Sequence, residues 1–261
     1  MPRHKLINTF SDFVNNYDFE NPMITLKYTH SLNVAAFCFD IAQTLALDQK
    51  ESIFAFTLGL VHDIGAFGAW QQRNAFVDIP ASIKLLLKNN LSQKFGIDKS
   101  NNKTLEFTLL LHDNFKMGFE KLQKYLSTLK NKDKKEKEIL MYYHILNDAD
   151  VLDLFGMLKR KSLPLIVIPS FKKTSLSKDV LNTFKQEQVV DRAIVKSKLD
   201  EIVMILSLFY QLKFNYSKKQ ALKFDFAEAV FDYFSPELTQ EEKQKLEKVI
   251  KTFKAKFADS F

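Results

Sequence analysis

Residues 24–47 read ITLKYTHSLNVAAFCFDIAQTLAL, and after Asp48 residues 49–64 read QKESIFAFTLGLVHDI. In both stretches apolar residues recur at three- and four-residue intervals rather than in alternation, the period of a helix and not of a strand. The first reads as a helix from Ile24 to Leu47, with Pro22 just ahead of it. Asp48 suits the N-cap of a second helix, Gln49 to Ile64, and Gly65 suits a left-handed C-terminal cap. If the two form an antiparallel pair turning near Leu47–Lys50, His30 lies about 16 residues before the turn, roughly 24 Å along the first helix at about 1.5 Å per residue. His62 lies about 12 residues past it, roughly 18 Å along the second. The two histidines therefore fall within about one turn of the same level and can share an ion.

The rest of the chain repeats the helical pattern. Gly and Pro number six each in 261 residues, too few for the turns of a many-stranded sheet. An irregular stretch with Phe67, Trp70 and Arg73 leads to a helix from Pro80 through Leu91. Further helices are predicted over Lys103–His112, Gly118–Leu129 and Lys135–Phe155, then an extended connector over Leu163–Pro169. Gln188–Leu212, Ser217–Tyr233 and Pro236–Phe257 close the chain as three more helices. The expected architecture is an all-α bundle over residues 1–160, with residues 161–261 a helical extension packed on the same domain.

Composition narrows the class. A single cysteine, Cys38, excludes an intramolecular disulfide framework. No apolar window approaches the roughly 18 residues a membrane helix needs, and Met1–Leu6 is not expected to open a cleavable signal. A cytoplasmic protein without membrane partners is the expectation. The net charge of +7 comes largely from clusters such as Lys130–Lys137, which read either as solvated surface or as a general attraction for phosphates. Nucleic acid is the weaker of the partners this suggests.

Chemistry concentrates in three segments: Lys27-Tyr28-Thr29-His30-Ser31, Gly59-Leu60-Val61-His62-Asp63-Ile64-Gly65, and Asn147-Asp148-Ala149-Asp150-Val151-Leu152-Asp153. A single histidine on an apolar helix face is more often a satisfied core residue than a ligand. The ordered set carries more weight. Two imidazoles and two carboxylates suit Mn, Fe, Co, Ni or Zn better than Ca or a thiolate-seeking metal.

These three segments resemble the HD-domain phosphohydrolases, helical proteins named for a metal site with the order His, His-Asp, Asp. Gly59–Gly65 matches that family's Gly-Leu-(apolar)-His-Asp-Ile-Gly element, and Asp148–Asp153 matches its closing Asp-Ala-Asp-x-Leu-Asp element. Ala66–Leu87 and Lys198–Ser217 are similar to the corresponding regions of a bacterial subgroup. The resemblance implies His30, His62, Asp63 and Asp150 as ligands of a divalent transition metal, Asp150 rather than Asp148 because the family's aspartate follows the alanine. It implies hydrolysis of a nucleotide or similar small phosphoester or phosphoanhydride, with Asp63 orienting the attacking water. Lys27 and Arg73 are then candidates for catalysis and phosphate binding, and His112 for the substrate pocket; Lys27 also reads as a plain surface lysine. Asp153 reads as a support to Asp150 or a surface acid. Two positions depart from the subgroup: Ala66 stands where it has a basic residue, and Ile79 where it has a histidine. Those departures motivate a second expectation, a catalytically weak metal- or nucleotide-binding regulatory module.

Overall fold

The computed structural model describes residues 1–71, 78–88, 91–163 and 175–257, with the side chains at 69–71, 78–80, 88, 113 and 115 left aside. The protein is all-helical, with no strand among the described residues. It divides into two compact units, Met1–Asp150 and Val151–Phe261, the division falling inside one long helix.

The first unit is built on α2 (Pro22–Thr44) and α3 (Gln49–Val61), the most extensively packed pair of helices. Each begins where its sequence dictates. Asn21 caps α2 by accepting from the Met23 N–H, with Pro22 in the first turn. Asp48 caps α3 in a reciprocal box: it accepts from the Glu51 N–H, and the Glu51 carboxylate accepts from the Asp48 N–H. The interface depends on Gly59. A Cβ there would lie 2.6 Å from the Ala35 Cα and 2.7 Å from its nitrogen, so only a residue without one lets the backbones approach this closely.

Three further helices belong to this unit, of which the one near Pro80 was expected. α1 (Arg3–Val14) was not anticipated, yet Leu6, Phe10 and Val14 are fully buried at four-residue spacing, a stripe visible in hindsight. It packs on the start of α2: Phe10 stacks on Tyr28 at 5.7 Å between centroids, and the Ser11 and Tyr28 hydroxyls lie 2.9 Å apart. α4 (Ala66–Gln71) occupies part of the stretch expected to be irregular. α5 (Asp78–Lys88) then anchors the preceding turn, Ser82 Oγ accepting from the Gly65 N–H at 2.9 Å. Gly65 does not serve as the left-handed cap expected of it; among the described residues the glycine with positive φ is Gly96, after α6 (Leu91–Lys94).

α7 (Asn102–Asp113), α8 (Phe115–Leu126) and α9 (Lys132–Lys159) enclose a second cluster of Phe107, Leu111, Leu122, Leu126 and Ile139. Asn114 ends α7 and caps α8 by accepting from the Met117 N–H. This fixes the end of α7 that carries His112.

The second unit contains α10 (Lys178–Lys185), α11 (Lys198–Ser207), α12 (Asn215–Lys223), α13 (Phe226–Phe234) and α14 (Gln240–Lys256) around an aromatic core. Phe226 stacks on both Phe155 and Phe209, and Phe253 meets Phe209 edge-on. Two predicted helices are interrupted. The one expected from Gln188 begins only at Lys198, because side chains claim the backbone first. Asp191 accepts from the Ala193 N–H, while the buried Asp200 accepts from the N–H groups of Lys196 and Ser177 and from the Ser177 hydroxyl. The helix expected over Ser217–Tyr233 breaks at Asp225, whose φ of 49° is left-handed. Aspartate tolerates that conformation better than most residues. Near Pro236 the α-helix starts later, at Gln240, under a Thr239–Glu242 capping box. The predicted connector Leu163–Pro169 lies outside the described residues except for its first residue. No helix among the described residues is long and apolar enough to cross a membrane.

Candidate metal centre

The turn after α3 does the positioning. His62 is the C-cap of α3, at φ −56° and ψ −40°, and the Ile64 and Ala66 N–H groups bond back to the carbonyls of Val61 and Asp63. His62 and Asp63 thus sit in the turn that ends α3, and the Asp63 carboxylate comes within 3.3 Å of His62 Nε2. The His62 Nδ1 lies 2.8 Å from the Gly59 carbonyl oxygen, which can only accept, so Nδ1 carries the proton and Nε2 is left with its lone pair.

That lone pair faces three other ligand-type atoms. His30 Nε2, from α2, is 3.2 Å from His62 Nε2. Asp150 Oδ1, from α9, is 3.2 Å from His30 Nε2 and 3.9 Å from His62 Nε2. Asp63 Oδ2 is 3.3 Å from His62 Nε2 and 3.6 Å from His30 Nε2. A tetrahedral cation with bonds of about 2.1 Å has ligand–ligand edges of about 3.4 Å, and an octahedral one edges of about 3.0 Å. The separations among His30, His62 and Asp150, 3.2–3.9 Å, are in the range of such edges, while Asp63 lies outside this mutually close group. His30, His62 and Asp150 can together hold a divalent metal ion, their three ligand atoms lying within 4.8 Å of one another. Asp63 reaches both histidines, but its Oδ2 is already paired with the Lys27 ammonium.

Exposure rises outward from the bottom of the site. His62 is fully buried, while the side chains of Lys27 and Asp150 are 20% and 34% exposed and form its mouth. Burial alone would raise the Asp63 carboxyl, but His62, Lys27 and His30 hold it well below the usual carboxylate range. For Asp150 desolvation is likewise outweighed, first by the hydrogen bond and charge of His30 and then by His112 and His62, and its carboxyl also lies low. Both are carboxylates at any pH where a metal would compete for them.

His112 sits beside this group, its ring centroid 5.6 Å from that of His62 in an edge-on arrangement. Its Nδ1 is inaccessible to solvent and has no hydrogen-bond partner among the described residues. Burial lowers its pKa, as do His62 and His30, against the opposing pull of Asp150 and Asp63. α7 thus holds a neutral imidazole next to His62; the sequence placed it there through the family resemblance alone.

The remaining sequence candidates fall as follows. Asp148 is fully buried but lies outside the His30–His62–Asp150 group. Asp153 is not a surface acid: it is fully buried and accepts from Arg160 at 3.2 Å. Cys38 is a core residue, its thiol 4.0 Å from the Ile145 carbonyl and its pKa pushed up by burial and then by Asp150 and Asp148. Phe67, in α4, is a fully buried core residue in ring contact with Phe10, Phe13 and Tyr17. Arg73 and the side chains of Trp70 and Ile79 lie outside the described residues. The Lys27–Asp63 pair escaped the sequence reading. The register that aligns His30 with His62 also aligns their neighbours, so the signal was present.

No family model matches the chain, and no curated protein or solved structure matches it significantly. The helical architecture and the His/His/Asp cluster are compatible with an HD-type domain.

Proposed function

We propose that this chain is an HD-type, metal-dependent phosphohydrolase acting on a nucleotide or a similar small phosphoester or phosphoanhydride. The observation that carries the proposal is the convergence of the His30, His62 and Asp150 ligand atoms at 3.2–3.9 Å, with Asp63 Oδ2 3.3 and 3.6 Å from the two histidines, in a site walled on its inner side by buried residues. His30, His62, Asp63 and Asp150 would hold the ion, and their mixed nitrogen and oxygen donors suit Mn, Fe, Co, Ni or Zn. Such a cation, when bound, supplies Lewis acidity and a lowered pKa for water. Asp63, ionised at neutral pH, orients the attacking water by accepting its hydrogen bond. Lys27, at the mouth, neutralises charge developing on the phosphoryl oxygens. His112, beside the cluster, is a candidate to line the substrate pocket, and Arg73 is a further candidate for phosphate recognition.

A panel of nucleotides incubated with Mn, Co, Ni or Fe tests this directly. Metal-dependent phosphate release by the wild type, abolished in His62→Ala with helicity intact, supports the proposal. One observation favours the second reading, a catalytically weak regulatory module: Ala66 is fully buried and brings no charged group to the site where the resembling subgroup has a basic residue. Tight nucleotide binding without product would decide for it.

A further inference from the structure

Lys27 and a metal ion would contend for one atom. Lys27 Nζ donates to Asp63 Oδ2, and it is the same Oδ2 that stands 3.3 Å from His62 Nε2 and 3.6 Å from His30 Nε2. The Asp63 side chain is only 10% exposed, so its charge needs a partner in the absence of an ion. A metal held by His30, His62 and Asp150 that also takes Oδ2 would bond to it at about 2.0–2.2 Å and stand a few ångströms from the ammonium. Two like charges at that separation repel, and the divalent one cannot leave without losing three other ligands. The lysine can: its stem is flexible and its side chain is 20% exposed. Lys27 lies three residues before His30 in α2, at the mouth with Asp150, so a displaced ammonium moves outward, to where an anionic substrate would arrive.

We propose that Lys27 is a resident counter-cation of Asp63 that metal binding displaces, turning it into the anion-binding group of the loaded site. This rests on the metal site proposed above and adds its order of assembly: metal first, phosphate second. Lys27 weakens the metal it competes with and strengthens the phosphate it later meets. The two effects have opposite signs, which a purely structural lysine would not produce.

The test titrates Mn²⁺ alone, and then inorganic phosphate in the presence of saturating Mn²⁺, into the wild type and Lys27→Met by calorimetry. The expected result is Mn²⁺ binding roughly tenfold tighter in Lys27→Met and phosphate binding roughly tenfold weaker, the scale of one charge-assisted hydrogen bond. Mn²⁺ should also raise the Tm of Lys27→Met more than that of the wild type, because the metal-free variant has an uncompensated buried carboxylate. If metal-free Lys27→Met does not fold, Lys27→Gln, which keeps a neutral donor for Oδ2, takes its place with the same signs. Equal or weaker Mn²⁺ binding in the variant overturns the displacement while leaving the metal site standing. A wild type that binds no Mn²⁺, Co²⁺, Ni²⁺ or Zn²⁺ overturns the site itself.

Discussion

Gly59 and Ala35 are in backbone contact: a Cβ on Gly59 would lie 2.6 Å from the Ala35 Cα. This contact lies three residues before His62 and five after His30, so it sets how far apart the two imidazoles stand.

Gly59→Ala separates intrinsic helix propensity from packing. Propensity alone would stabilise α3 by about 1 kcal/mol. The overlap with rigid backbone forces α2 and α3 apart, and overpacking of this kind costs about 1–3 kcal/mol. Net destabilisation is expected in denaturant unfolding, together with a loss of metal affinity of roughly tenfold or more as the ligand atoms leave their geometry. Unchanged stability and metal affinity would show that the helices can part without consequence.

Asp150 and Asp148 are distinguishable by experiment. Asp150→Asn removes a ligand oxygen at the mouth and should lower metal affinity by roughly 10–100-fold. Asp148→Asn disturbs a fully buried carboxylate outside the cluster and should cost about 1–3 kcal/mol while leaving metal stoichiometry intact. Metal titration beside thermal unfolding of both variants reads this out; the reverse pattern would move the ligand to Asp148.

Much of this site was legible in the sequence because it is built on regular helices. A period of 3.6, a cap at Asp48 and a count of residues to the turn were enough to bring His30 and His62 to one level. Asp150 needed the family pattern, since nothing local to α9 distinguishes it from Asp148. What the sequence left out lies where side chains override local preference. Asp225 breaks a helix without glycine or proline, and Asp200 draws the backbone of Lys196 and Ser177 away from helix. α1 was missed because Leu6, Phe10 and Val14 form a narrow stripe among polar residues. The Gly59–Ala35 contact was invisible because it pairs positions whose closeness exists only after α2 and α3 have packed.

The low carboxyl pKa values give a pH dependence of definite sign. Asp63 and Asp150 titrate below their ordinary value of 3.8 in the folded chain, so the unfolded chain binds more protons in the window below that value. Their contribution to the stability of metal-free protein is complete above about pH 4 and is lost as pH falls through the folded values. Urea midpoints measured from pH 5 down to pH 2.5 should fall, and fall less steeply in Asp63→Asn. An equal slope in the variant would mean that Asp63 is not held ionised by its neighbours.

The central claim is that His30, His62, Asp63 and Asp150 form one metal site, and elemental analysis tests it most directly. Wild-type protein and His62→Ala are purified without added metal, reconstituted in parallel with Mn, Fe, Co, Ni and Zn, freed of excess ion and analysed. The account predicts a stoichiometric transition metal in the wild type and its loss in His62→Ala. Equal metal in the two proteins, or none in the wild type with any of the five ions, would contradict it.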